Sequence, residues 1–292
     1  HLIYDSSRGA NKYIQANTAN AENTSSDLMS SFDSDGFTTQ TDSSSGNLLN
    51  YSSDKYIVWS WKANGGTTSS NTQGTVTSTV QANTTAGFSI IQYAGTGSAL
   101  SYGHGLTERP TFYIVKDRDA SLNWFIQYFD GSSDYYLAFN TVSTSSLSGF
   151  TPDATKMNYG SSSTLINQSG RNYIVYAFHS VEGYSKIGTY TGNGSTDGAF
   201  VYTGFRPAFV LLKQLNSSGS WLIHDNKRSP FNVIDEDLFA NLASAESDNG
   251  VDKDFISNGF KHKSSHSAVN GSGSTYVYLA FAEQPYKFSN AR

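Results

Sequence analysis

The 292-residue chain has no cysteine, which excludes a disulfide scaffold, a thiolate zinc site and a cysteine nucleophile. It is also poor in charge: 15% of its residues are Asp, Glu, Lys or Arg, against about 25% in an ordinary soluble domain. The formal net charge of -5 argues against nucleic-acid binding, which calls for a basic stripe. No apolar run approaches the roughly 18 residues of a membrane-spanning helix. There is no initiator Met, basic n-region or apolar h-region in this numbering, so no signal peptide is read here. The missing cysteine leaves the compartment open, because a virion protein made in a reducing cytosol would look the same. Polarity comes instead from Ser, Thr, Asn and Gly, while 19 Tyr, 18 Phe and 4 Trp supply ample surface to bury and exclude intrinsic disorder. The composition fits an extracellular or virion β-protein better than a metabolic enzyme.

Self-similarity is the strongest structural signal. Tyr93-Ala94-Gly95-Thr96-Gly97 recurs as Tyr190-Thr191-Gly192-Asn193-Gly194, Pro110-Thr111-Phe112 as Pro207-Ala208-Phe209, and Trp124-Phe125-Ile126 as Trp221-Leu222-Ile223, every match displaced by 97 residues. Later parts of the unit occur three times. Lys55-Tyr56-Ile57-Val58-Trp59-Ser60-Trp61 matches Asn172-Tyr173-Ile174-Val175-Tyr176-Ala177-Phe178 and Thr275-Tyr276-Val277-Tyr278-Leu279-Ala280-Phe281, all read as aromatic strands. His1-Leu2-Ile3-Tyr4-Asp5 aligns with Trp221-Leu222-Ile223-His224-Asp225. The expected organisation is a first repeat lacking its first third at residues 1–63, a Gly/Ser/Thr/Asn-rich linker at 64–86, a second repeat at 87–182 and a third at 183–292. The missing third implies upstream sequence in the parent protein, and a cover from some source over residues 1–5. Alternating aromatic and aliphatic residues punctuated by Ser/Gly/Asn/Asp clusters predict an all-β fold of tandem antiparallel β-sandwich repeats. Asp235–Ala245 is the best helical stretch, but it aligns with a strand of the second repeat.

The candidate chemistry is thin. Asp5-Ser6-Ser7-Arg8 and Asp225-Asn226-Lys227-Arg228 repeat at one place, where an Asp–Arg pair could grip a sugar diol or pin a turn; the turn is favoured, since the second repeat has Tyr128 instead. Asp33-Ser34-Asp35-Gly36 resembles a fragment of a calcium loop, yet Ser44 stands where the distal Glu belongs, so a turn with Gly36 at positive φ is expected. Asp235-Glu236-Asp237 and Asp252-Lys253-Asp254 read as solvated loop clusters. His104 between two glycines has no evident partner, and His262 and His266 share a face only on a helix. Gly192-Asn193-Gly194 reads as a hairpin turn. Glu182 and Glu283, each ending an equivalent strand, read as scaffold, and no strand carries the facing carboxylates of a glycosidase. No catalytic residue, metal ligand or cofactor is expected; the ligand-binding residues stay unknown. Exposed rings could stack on sugars, although most sit at alternating core positions.

The run from Phe178-His179-Ser180-Val181-Glu182-Gly183-Tyr184 to Gly194-Ser195, together with Phe200–Val210, Tyr278–Glu283, Asp33–Phe37 and Trp59–Ala63, resembles a domain of unknown function widespread in virion structural proteins of marine tailed bacteriophages. The resemblance covers nearly the whole chain. It implies a virion or tail-appendage protein, often described as fibre-like or lectin-like (jelly-roll-like), whose members carry a further strand upstream of the position of His1. The expected function is non-enzymatic host-surface or glycan adhesion. The alternatives are a purely structural virion role (head fibre, decoration or tail scaffold) and a polysaccharide depolymerase. Expected partners are other virion proteins, a homo-oligomer and a host glycan, with neither nucleic acid nor membrane insertion. The expected location is the virion, after synthesis in the host cytoplasm.

Overall fold

A computed structural model describes residues 1–41, 48–132, 134–141, 144–146, 149–160 and 163–286. In chain order the strands are β1 (Leu2–Ile3), β2 (Lys12–Gln15), β3 (Asn23–Thr24), β4 (Met29–Phe32), β5 (Phe37–Thr39), β6 (Ser69–Asn71), β7 (Ser78–Asn83) and β8 (Phe88–Ala94). Next come β9 (Leu100–Gly103), β10 (Phe112–Asp117), β11 (Phe125–Phe129), β12 (Asp134–Leu137), β13 (Thr144–Ser146), β14 (Lys156–Tyr159) and β15 (Asn172–Phe178). The third repeat holds β16 (Ser185–Thr191), β17 (Phe200–Tyr202), β18 (Pro207–Gln214), β19 (Leu222–Asp225), β20 (Ile234–Phe239), β21 (Ser247–Ile256), β22 (Gly259–His262) and β23 (Thr275–Ala282). One short helix, α1 (Ser267–Asn270), interrupts them among the described residues. The protein is all-β, and the described strand pairs are antiparallel.

The chain divides into two compact units, residues 1–125 with 149–178, and residues 126–148 with 179–292. In the first unit, β10-β15-β8-β7-β6 run side by side, and the pair β14-β9 forms a second layer. Tyrosines join the layers: Tyr93 of β8 stacks on Tyr102 of β9 at 4.1 Å and on Tyr173 of β15 at 5.0 Å. Period-2 alternation explains this, since Tyr93 and Tyr173 are register partners pointing to one face. The second unit contains the meander β11-β12-β13 and an eight-stranded sheet in the order β16-β23-β18-β19-β20-β21-β22-β17. That sheet curls around one core containing Tyr190, Val210, Leu222, Ile234, Phe255, Phe260 and Tyr276.

Each unit mixes two repeats. In the first, the indole Nε1 of buried Trp124 donates to the carbonyls of Gln15 (3.2 Å) and Thr18 (3.1 Å) in the β1-β2-β3 meander. In the second, Trp221 Nε1 donates to Ala138 O at 2.9 Å, and its ring stacks on Phe139 at 5.4 Å. The two meanders share one register, Ile3 opposite Ile14 and Ile126 opposite Leu137. A meander from one repeat thus covers the tryptophan of the next; at the start of the first meander Asp5 is buried, Leu2 and Ile3 are partly buried and His1 is exposed.

Three sequence expectations change. Residues 64–86 are not simply a connection, because β6 and β7 occupy them and bury Ser78, Val80 and Gln81 at the sheet edge. Lys55–Trp61 forms no strand; among the described residues, no strand pairs with it as β8 and β10 pair with β15 or β16 and β18 with β23. Asp235–Ala245 opens with strand β20, following its alignment rather than its helical pattern.

Candidate functional site

At one end of the first unit's sheet, alternation turns Thr77 and Thr79, Gln92 and Ala94, and Asn172 toward solvent, with Thr79 opposite Gln92 and Ala94 opposite Asn172. With Arg118, Tyr93 and Tyr173 they line an open cleft of about 240 Å³. Its polar floor is fixed. Arg118 Nη1 donates to Gln92 Oε1 at 2.7 Å, Gln92 Nε2 donates to Ser7 O at 3.0 Å, and Asn172 Nδ2 donates to Asp119 Oδ2 at 3.0 Å. Arg118 also grips Glu22 through Nε (2.9 Å) and Nη2 (3.0 Å). The Glu22 side chain, 8% exposed, further accepts from Lys12 at 3.0 Å. Burial alone would raise the Glu22 pKa; the hydrogen bonds from Arg118 and Lys12 outweigh it and hold the carboxyl below its ordinary value. The cleft therefore offers hydroxyls, amides and a pre-oriented guanidinium, a lining suited to polyhydroxylated ligands.

Asp5 and Arg8 lie beside this network, and they pin a turn. Asp5 Oδ1 accepts the backbone N–H groups of Ser7 (3.0 Å) and Arg8 (2.9 Å), Asp5 Oδ2 accepts from Arg8 Nε, and Arg8 Nη2 donates to Ile3 O at 2.9 Å. The third repeat copies this arrangement. Asp225 Oδ1 accepts from Lys227 N (2.9 Å) and Arg228 N (3.0 Å), Arg228 Nε meets Asp225 Oδ2 at 2.7 Å, and Nη2 donates to Ile223 O at 2.9 Å. With those donors spoken for, the pair holds backbone rather than ligand.

The other candidates scatter. Asp33 closes the β4–β5 hairpin by accepting from Ser31 (2.8 Å) and Thr38 (2.8 Å), but Gly36 does not take a left-handed backbone; Ser44 lies outside the described residues. Buried His104 accepts Leu106 N at Nδ1 (3.1 Å), and its Nε2 meets Asp153 O at 3.2 Å. His266 Nδ1 caps α1 by accepting Ala268 N at 3.1 Å, whereas His262 stacks on Tyr190 at 5.0 Å, so the two histidines serve different elements. Glu283, just past β23, accepts from Arg206 (3.1 Å) and Asn226 (3.0 Å), while Glu182 is exposed in a turn. The acidic clusters expected in solvated loops lie on β20 and β21 instead, where Asp237 and Lys253 are buried. Lys253 shares the interior with His224 and His262. Burial first, then the Lys253 charge, pushes both imidazoles well below their ordinary pKa.

Two further features escaped the sequence. Lys116 and Lys213, 97 residues apart, are buried and pushed down to about 8 by burial. Such lysines often mark nucleophiles, yet both donate to carbonyls one residue ahead, Asp117 O at 2.8 Å and Gln214 O at 2.9 Å. Identical placement in two repeats makes them loop anchors. Asn167 and Asn270, both buried, clamp the Gly-x-Gly loops: Asn167 Oδ1 accepts Thr96 N at 2.8 Å, and Asn270 Oδ1 accepts Asn193 N at 3.0 Å. Gly192-Asn193-Gly194 is thus a side-chain-clamped loop and not a free hairpin turn.

Among the described residues, no group of three or more His, Cys, Asp or Glu converges as a metal-ligand set, and no helix is long and apolar enough to cross a membrane. No curated protein and no solved structure matches the chain. The model of a domain of unknown function, DUF7483, matches residues 1–285. Spanning nearly every repeat element described above, that match shows that the chain belongs to the DUF7483 family.

Proposed function

We propose that this protein is a non-enzymatic component of a phage appendage, fibre-like in role, that binds host-surface glycans through the first unit. The cleft at Thr77, Thr79, Gln92, Arg118 and Asn172 carries the reading. Its exposed groups are neutral donors and acceptors suited to sugar hydroxyls, and its one cation is neutralised and oriented by Glu22. The repeated Asp–Arg and buried-lysine devices support a scaffold role for charges that elsewhere would suggest catalysis. The virion setting rests on the sequence resemblance.

The test is a host polysaccharide and glycan array followed by titration. Thr79→Val combined with Asn172→Ala removes cleft hydrogen bonds at exposed positions, so affinity should fall at least about 5-fold, equivalent to roughly 1 kcal/mol, with the thermal midpoint unchanged. An intact protein that binds no surface glycan would sink the adhesion reading. Release of oligosaccharides from host capsule would overturn the non-enzymatic one.

A further inference from the structure

The cleft assigned to glycans has a neighbour. A second opening of about 370 Å³ lies in the same unit, and its lining includes Thr75, Ala99, Leu100, Ser101, Asn158 and Tyr159. Two stretches of chain run from one opening to the other. Thr77 and Thr79 line the first and Thr75 the second. Two residues of chain span at most ~7 Å, so the linings adjoin. The second stretch joins Ala94 of the first lining to Ala99 of the second through Gly95-Thr96-Gly97-Ser98.

Both stretches are held in place. Thr75 N donates to Ser101 Oγ (3.1 Å), Ser101 N donates to Thr75 Oγ1 (2.8 Å), and Val76 N donates to Ser101 O (3.0 Å). Gly74 permits this approach, since a Cβ there would stand 2.2 Å from Ser101 O. Four residues beyond Thr75, Thr79 pairs with Gln92 of β8. The stretch therefore crosses from the β14-β9 layer to the β7-β8 sheet, and Thr75, Thr77 and Thr79 are all exposed along it. The Gly-x-Gly stretch is fixed by Asn167, which accepts Thr96 N at 2.8 Å and donates to Ser98 O at 2.5 Å. A ligand meets a preformed surface with little left to order.

The two openings differ in chemistry. The first presents hydroxyls and amides around Arg118. The second has no charged residue among its described lining. There buried Leu100 and Tyr159 are register partners, and half-buried Ser101 and Asn158 are the next pair, so apolar and polar groups alternate across β9 and β14. A pyranose carries the matching surfaces, hydroxyls at its edge and C–H groups on its faces. Each opening alone falls near or below the ~300 Å³ at which small-molecule pockets begin, while the two together fall within that range.

We infer that the two openings are one groove, and that its ligand is a neutral, linear oligosaccharide segment long enough to occupy both, rather than a single terminal sugar or a polyanionic chain. The formal net charge of -5 also works against the polyanion. This inference rests on the glycan reading of the first cleft and adds its length and charge selectivity.

The probes are manno-, gluco- and galacto-oligosaccharides graded from mono- to hexasaccharide, with oligogalacturonates as the acidic series, titrated by calorimetry against the full chain. In a neutral series, affinity should rise at least about 10-fold from the disaccharide to the hexasaccharide. The hexasaccharide should slow hydrogen exchange over residues 75–79 and 99–101. Ala99→Arg puts a long side chain at an exposed position of the second lining. It should abolish the hexasaccharide's advantage over the disaccharide while keeping the parent melting curve. Affinity independent of length, or protection that omits residues 99–101, overturns the groove and leaves single-cleft glycan binding standing. Tighter binding of the acidic series overturns the neutral assignment. No binding by any series overturns the proposal, and the glycan array then decides whether the adhesion reading falls with it.

Discussion

Asn270 shows how much one buried amide can hold. Its Nδ2 donates to Asn193 Oδ1 (2.9 Å), Ser195 O (2.8 Å) and Ser264 O (2.9 Å), while Oδ1 accepts Asn193 N. Removing it strands the Ser264 carbonyl in the interior and leaves three part-buried partners to rearrange, a buried group left unpaired costing about 1–3 kcal/mol. Asn270→Ala is therefore expected to cost about 3 kcal/mol in urea unfolding, against less than about 1 kcal/mol for exposed Asn193→Ala. Gly192 meets the same clamp from the other side: a Cβ there would lie 2.4 Å from Gly271 O and 2.7 Å from Asn270 C. Because backbone must move, Gly192→Ala should cost at least about 2 kcal/mol in the same assay. The Gly-x-Gly repeats were legible in the sequence; the asparagine was not. It sits 77 residues beyond Asn193, and only the packed strands bring the two together.

At the scale of elements, tryptophan decides how the repeats interlock. Trp124 is fully buried and donates to two carbonyls of the first meander. Trp124→Phe keeps most of the packing and loses the donor, an expected cost of about 1–2 kcal/mol. Trp124→Ala opens a cavity worth about 3–5 kcal/mol and should loosen residues 1–24, so limited proteolysis should cut there before it cuts the sheet. Equal cleavage of parent and Trp124→Ala protein would refute the interlock. The periodic strands of the second and third repeats were readable because alternation and repeat phase agree. Lys55–Trp61 was misread because it has the side chains of a strand without the neighbours that make one. Strand formation needs backbone partners on an adjacent chain segment, a condition no local pattern records. The charged cleft network was hidden likewise, since Glu22 and Arg118 are 96 residues apart in sequence.

For the molecule as a whole, acid should not act on both units alike. In the second unit, buried His224 and His262 face Lys253, with Arg228 and Asp237 also bearing on the group. Both imidazoles have folded pKa values below the ordinary 6.5. Below that pH the unfolded chain binds protons that the folded unit refuses, so stability is present above 6.5 and falls with pH by about 1.4 kcal/mol per unit for each histidine. Asp237, whose pKa burial raises, offsets part of this at the acid end by taking its proton more readily when folded. In the first unit Glu22 has the depressed value, so its contribution stays until the pH falls below the ordinary 4.5. The first unit's buried His104 is hydrogen-bonded at both ring nitrogens. Hydrogen exchange read by mass spectrometry between pH 7.5 and 5 should therefore show residues 179–286 losing protection while β7, β8, β10 and β15 keep theirs. His224→Gln with His262→Phe removes the titrating rings and should flatten the second unit's dependence over that range; an unchanged slope would place its acid sensitivity elsewhere. Unit 1 answers the same design question without a base: Tyr159 occupies the place of His262, and its hydroxyl meets Tyr102 at 2.6 Å. Val201 stands where Tyr102 does in strand register and offers His262 no such hydroxyl, so the first core is expected to keep its packing at a pH where the second loosens.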